Sequence, residues 1–333
     1  MSTINVDIVD PQSGTSVTVS GVEIDAPITS SIAIGNNAMN SSVAGDNSVV
    51  IGDNAYQTPT GIAKSVIIGS RAMQNSTIGT AFSVAIGYDA MRAANTSNAS
   101  NGSVAIGYQS LFNTNALSGG NVAVGKDTLL SSTTGSSNTA IGTEAGKAVT
   151  TGNGNVLVGN LSGSALTTGS SNVFLGQGSG GFNSGDIFTG NNCTSIGYFS
   201  NPSSLTVNNE ITLGNTSVTT LRCNVTSITS LSDARDKKEI SELSAGLDFV
   251  KTLKPVEFVW NDRDNEAKRD IKDFGFIAQD LKKSQEDAEL AETLKLVYES
   301  NPEKLEASYG KLIPILVKAI QDLSAKVEAL EAQ

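Results

Sequence analysis

The chain contains no histidine among its 333 residues. Ser-His-Asp and Cys-His catalysis are thereby excluded, and so is the commonest protein ligand for a metal. Any catalysis has to take its base from another residue type. Cysteine occurs twice, as Cys193 and Cys223, too rarely for a disulfide framework, so both are read as free thiols of a chain made in a reducing cytosol. No apolar run reaches the length that spans a bilayer. The opening M-S-T-I-N-V-D-I-V-D has no basic region followed by an apolar one, so no export signal is expected. Positive charge is scarce as well: 22 Lys and Arg stand against 33 Asp and Glu, a net −11. So acidic a chain lacks the surface needed to neutralise nucleic-acid phosphates or to bind an anionic membrane.

Charge is missing mainly from one part. Residues 1–231 carry 11 acidic and 6 basic side chains, whereas residues 232–333 carry 22 and 16, so two domains are expected. A long segment with few charges, rich in Gly, Ser, Thr and Asn, is either disordered or a β architecture held by its backbone. Regularly placed Val and Ile decide for the second. Its acids, among them Asp53, Asp89, Asp127 and Glu144, are isolated in sequence. Neither the paired carboxylates of glycoside hydrolysis nor a metal cluster is expected there, and no cofactor is implied.

A glycine preceded by three strand-like residues recurs at Gly35, Gly52, Gly69, Gly87, Gly107, Gly125, Gly142, Gly159, Gly176, Gly197 and Gly214. The best copies read S-V-A-I-G (83–87 and 103–107), N-V-A-V-G (121–125), N-V-L-V-G (155–159) and N-V-F-L-G (172–176). The residue before the glycine is always Ile, Val or Leu, and the residue two earlier is Ile, Val or Thr. These two side chains share one face of a strand, so each repeat is expected to bury such a pair. Three residues after the glycine stands Ala, Ser or Thr, from Ala38 to Ser217, small enough for a second backbone segment to lie close. The glycine itself would supply the turn between the two segments. One unit cannot bury its apolar residues alone, and stacked units give a parallel β-roll or β-solenoid. Insertions near Asn95–Asn101 and Gly180–Asn191 are expected to bulge on one face.

The repeats resemble the head repeats of trimeric autotransporter adhesins, whose S-V-A-I-G units form a parallel β-roll in a three-fold trimer. The resemblance covers roughly residues 30–217 and implies an intertwined homotrimer.

At Ser232 the texture changes to S-D-A-R-D-K-K-E-I. Leu243, Leu247, Phe249 and Val250 follow at helical spacing, Lys254-Pro255 ends that helix, and Val256–Trp260 alternates like a strand. F-G-F-I-A-Q-D follows at Phe274–Asp280, and a last helix is expected over 309–333. There Ile313, Leu316, Ile320, Leu323, Val327 and Leu330 make the seam of a short coiled coil, with Pro314 tolerated in the first turn. From the residues alone, Ser232 could start a turn as an N-cap with Lys237 in solvent.

The ordered motifs S-D-x-R-x-K, K-P-V-x-F-x-W, G-F-I-A-Q-[DE] and Y-G-K-L-I-P-I-L-V-K-A-I-Q-D-L resemble the intramolecular chaperone auto-processing domain that ends phage endosialidase tailspikes, many tail fibres and neck appendages. The resemblance implies that residues 232–333 trimerise, help the upstream fibre fold in register and then cut themselves off. It also implies a serine nucleophile and a lysine base five residues later, which map onto Ser232 and Lys237. Arg235 and Lys238 are then neighbouring cations, and Asp233 orients the pair or lies on the departing side. The scissile bond is either Leu231–Ser232 or Ser232–Asp233. Asp236 and Glu239 depart from the family pattern, and an acid beside Lys237 favours its charged form.

The expected architecture is mainly β: an attachment segment (1–29), a β-roll shaft (30–231) and a small α+β chaperone domain (232–333). The expected role is a homotrimeric virion tail fibre or appendage, made in the host cytoplasm. It would be joined to other tail or capsid proteins through its N-terminus and would present its shaft to a host surface glycan. Two competing readings stay open. A polysaccharide-depolymerising tailspike enzyme calls for clustered acids or aromatics in the shaft, and a bacterial surface adhesin calls for an export signal.

Overall fold

The computed structural model describes residues 32–38, 48–57, 62–75, 80–93, 102–113, 119–181, 185–224, 231–261 and 270–333. The attachment segment 1–29 and the insertion Asn95–Asn101 lie outside these residues. Among the described residues, thirteen short strands precede residue 232: β1 (Ile32–Ile34), β2 (Val49–Ile51), β3 (Ile62–Ala63), β4 (Val66–Ile68), β5 (Thr80–Ala81), β6 (Val84–Ile86), β7 (Val104–Ile106), β8 (Val122–Val124), β9 (Thr139–Ile141), β10 (Val156–Val158), β11 (Val173–Leu175), β12 (Thr194–Ile196) and β13 (Ile211–Leu213). All but β3 and β5, which pair with each other, form one parallel sheet of eleven strands in chain order. Equivalent residues stack in register, Val156 on Val173 and Val158 on Leu175 for instance. This is a parallel β-solenoid, about 50 Å long at the usual strand spacing.

Two features of the repeat glycine enforce the stacking. From Gly35 to Gly197 its φ runs from 127° to 138°, a region that L side chains rarely adopt. A Cβ on Gly159 would also lie 2.6 Å from the Gly176 carbonyl carbon of the next turn. The small residue three positions on, from Ala55 through Ser200, is buried as expected.

The expected burial of the Val/Ile pair is corrected by the structure. The residue between them points inward: Val50, Ile67, Ala85, Ala105, Ala123, Ala140, Leu157 and Phe174 are fully buried. The flanking pair faces outward, with Ile106 36%, Ile141 41% and Leu213 54% exposed. The lumen is narrow because the small-residue segment lies close to the sheet, so each turn admits one strand side chain there, and alternation sends its neighbours out. Eleven outward pairs, all aliphatic or threonine, thus form a continuous uncharged stripe along the sheet.

Filling of the lumen changes hands along the shaft. The earliest described turns place large side chains from both, Val50 with Tyr56 and Ile67 with Met73; in the next turns the strand offers alanine and the turn a large side chain: Ala85 with Met91, Ala105 with Leu111, Ala123 with Leu129. Further on the strand offers Leu157 or Phe174, and glycine occupies the turn position at Gly163 and Gly180. A Cβ on Gly163 would lie 2.7 Å from a Leu157 methyl.

A second internal column is polar. The residue before each strand, Ser48, Ser65, Ser83 and Ser103 and then Asn121, Asn138, Asn155 and Asn172, is buried. The backbone N–H of Asn138, Asn155 and Asn172 each donates to the amide oxygen one turn earlier at 2.9 Å. Their amide groups donate to Gly152, Gly169 and Gly190 carbonyls one turn ahead. Buried polar groups of this kind cost stability unless bonded, and here each turn satisfies its neighbour. Cys193 continues the column as a free thiol, its ionisation pushed up by burial, and Cys223 is a free exposed one.

The C-terminal region is an α+β assembly. It holds α1 (Leu247–Val250), the antiparallel pair β14 (Val256–Val259) and β15 (Lys272–Gly275), α2 (Ala278–Asp287), α3 (Ala291–Leu294), the pair β16 (Val297–Tyr298) and β17 (Glu306–Ala307), and α4 (Leu312–Glu331). Ala245, Phe249, Leu294, Leu296, Leu312 and Ile315 form its core. Helix α4 buries Leu312, Ile315 and Ala319, and leaves the whole Ile313–Leu330 seam exposed, Ile320 at 66%. No helix among the described residues is long and apolar enough to cross a membrane.

Candidate self-cleavage site

Residues 231–240 run along the surface between shaft and C-terminal region, every one of them exposed, Leu231 to 99%. A single turn of 3-10 helix, Ala234–Asp236, organises them. Asp233, rather than Ser232, is its N-cap, accepting from the Arg235 backbone N–H at 2.9 Å. The Arg235 guanidinium closes on the same carboxylate through Nε at 3.0 Å and Nη2 at 2.5 Å. That guanidinium first, and the backbone N–H second, hold the Asp233 carboxyl below the ordinary carboxylate range, while Asp233 raises Arg235 in return. Arg235 is therefore engaged by Asp233.

This turn folds the chain back so that residue 237 meets residue 232. Lys237 Nζ donates to Ser232 Oγ at 2.6 Å and to the Ser232 carbonyl oxygen at 3.4 Å. The same approach, with the amine deprotonated, is the one in which a lysine takes the proton of a serine nucleophile. Leu231 flanks the pair, and Lys238 and Glu239 follow on the exposed side, Glu239 at φ 56°.

The family resemblance named Ser232 and Lys237 as a pair, with Arg235 as a neighbouring cation, and left Asp233 either orienting that pair or on the departing side; in the structure Lys237 donates to Ser232, and Asp233 is bonded to Arg235. Sequence reasoning missed the shaft's polar column, although the switch from S-V-A-I-G to N-V-A-V-G in the repeats was its visible signal.

Fold and site together define a β-solenoid shaft followed by a small α+β region that opens on a serine–lysine pair. Residues 232–290 match the family described as chaperone of endosialidase, and the match begins at Ser232 itself. It ends before α4, so the likeness of Y-G-K-L-I-P-I-L rests on the sequence pattern. No curated protein and no solved structure matches the chain.

Proposed function

We propose that the chain is a phage tail fibre or virion appendage whose C-terminal region, residues 232–333, sets the register of three shafts and then severs itself at Ser232. The observation that carries this reading is the Ser232–Lys237 contact at the first residue of the chaperone match, immediately after a repetitive shaft. Register needs outside help because the turns are nearly alike: copies displaced by one turn would still set Val and Ile against Val and Ile.

Three shafts pack along the outward stripe. Only a partner whose apolar pairs recur at the same strand spacing matches eleven of them in sequence, and another copy of this chain has that spacing. Each Val, Ile or Leu covered fully contributes about 1.5–3 kcal/mol. The exposed seam of α4 joins the copies at the other end. Residues 1–29 hold the fibre to other virion proteins, and the shaft meets a host surface glycan.

In the cleavage, Ser232 Oγ attacks a neighbouring carbonyl carbon as Lys237 takes its proton. The peptide nitrogen leaves with that proton, and water then hydrolyses the ester. The Lys237 amine is exposed in one chain, and assembly supplies its cover. Uncovered chains thus stay intact, and cleavage reports completed assembly.

A denaturing gel with intact-mass analysis of the full chain beside Ser232→Ala and Lys237→Ala tests this. Two fragments meeting at residue 231/232 or 232/233, in the wild type alone, are expected. One intact band in all three chains overturns the cleavage and leaves a retained assembly cap.

A further inference from the structure

The polar column inside the shaft ends in a residue of another kind. The position held by serine, asparagine and Cys193 in earlier turns is Glu210 in the last one, just before β13. Earlier members are bonded by the turn that follows them, but β13 is the terminal strand of the sheet. The Glu210 carboxylate accepts instead from the Ser203 N–H at 2.7 Å, the Ser203 hydroxyl and the Thr212 hydroxyl at 3.1 Å. Its fourth donor comes from outside the shaft: the Tyr298 hydroxyl, at the end of β16, donates at 3.1 Å. Beside it, Asn301 Nδ2 donates to the Ser203 carbonyl at 3.0 Å, and the Ser203 and Ser300 hydroxyls meet at 2.7 Å. These bonds join segments nearly a hundred residues apart and do not pass through residues 231–237.

The end of a solenoid exposes unpaired strand groups and calls for a cap. We infer that the turn Ser203–Glu210 and the segment Tyr298–Asn301 form a non-covalent joint between the shaft and its C-terminal region, so that cutting the chain near Ser232 does not by itself release the C-terminal fragment. The inference rests on the cleavage proposed above. Cleavage and release become separate steps, and the lifetime of the joint sets the second. Three polar contacts in a part-exposed setting, none of the three an ion pair, suit a connection that holds and then lets go.

The test separates the joint from the self-cleavage. In the full chain carrying Ser232→Ala, residues 225–230 are replaced by a recognition sequence for an added protease, the chain is cut, and the fragments are followed by native chromatography. Co-elution is expected, and Tyr298→Phe with Asn301→Ala should release the C-terminal fragment about tenfold faster or more, as the loss of two hydrogen bonds predicts. Tyr298→Phe alone, which removes one hydroxyl, serves if the double variant does not fold, and should accelerate release severalfold. Immediate separation of the parent fragments, or equal retention in the variants, overturns the joint. An intact band for the natural sequence on the denaturing gel would overturn the cleavage reading, while the protease-cut chain still decides the joint.

Discussion

The shaft and the C-terminal region solve the burial problem in opposite ways. Each turn of the shaft covers the next, so its lumen is fully buried within one chain. The C-terminal region encloses a small core around Phe249, Leu296 and Ile315, yet leaves Phe274 80% exposed and the seam of α4 in solvent. The shaft is satisfied along its axis and open on one outer stripe; the C-terminal region leaves apolar side chains exposed on β15 and along α4. The side-to-side assembly proposed above would draw on both regions, but only the shaft is built from contacts between its own successive repeats.

That contrast is broken most severely at a repeat glycine. Gly159→Val places a side chain against the Gly176 backbone at a φ of 136°, and should cost more than about 4 kcal/mol, abolishing the cooperative melt of the shaft by circular dichroism. Gly310→Ala in the C-terminal region meets nothing within 4 Å and should leave the melt unchanged.

Next in size is the exchange of lumen filling. Leu157→Ala should destabilise the shaft by about 2–5 kcal/mol. Adding Gly163→Leu rebuilds the arrangement of Ala123 with Leu129, which holds φ 49° as leucine, and should restore much of the loss in a double-mutant cycle of denaturant unfolding. Simple addition of the two single effects would show that strand and turn do not share one space.

Ile320→Asp probes the open side of the comparison. The side chain touches solvent in one chain, so stability of the C-terminal region should move by less than about 0.5 kcal/mol, whereas native mass should fall toward the single chain. Unchanged native mass would remove the α4 seam from the assembly.

The smallest effect distinguishes the regions by pH. Asp322 accepts the Leu247 N–H at 3.1 Å and the Lys318 ammonium at 3.0 Å, and the N–H first, then the lysine, hold its carboxyl below the ordinary range. A depressed carboxyl contributes stability above its unfolded value, near pH 3.9, that is lost as pH falls through the lower folded value. Acid titration of unfolding should show this loss in the C-terminal region and not in Asp322→Asn.

Much of this was legible in the sequence because repetition makes packing visible. The glycine, the small residue three positions on and the strand triplet recur often enough to read the solenoid directly, and the parallel register follows from their spacing. The face of the strand was misread because both candidate faces are apolar: Val-Ala-Ile offers Val and Ile or Ala to the lumen, and hydrophobicity alone favours the larger pair. In the C-terminal region the strand at Val256–Val259 and helix α4 were legible, whereas α1 shrank to four residues because Gly246 sits against Asp322 at the crossing with α4. The serine and the lysine were legible through the family resemblance. Their 2.6 Å approach was not, since it depends on Asp233 capping a turn through Arg235.

The sequence by itself determined a stacked β shaft and a charge-rich C-terminal region, because both are written in local spacing and composition, and it offered a serine–lysine candidate between them through a family resemblance. Tertiary structure alone decided which strand face is the lumen, that turn and strand share the filling of one space, and that Glu210 reaches Tyr298. Those depend on how close two backbone segments lie and on contacts between residues far apart in the chain, and local spacing sets neither.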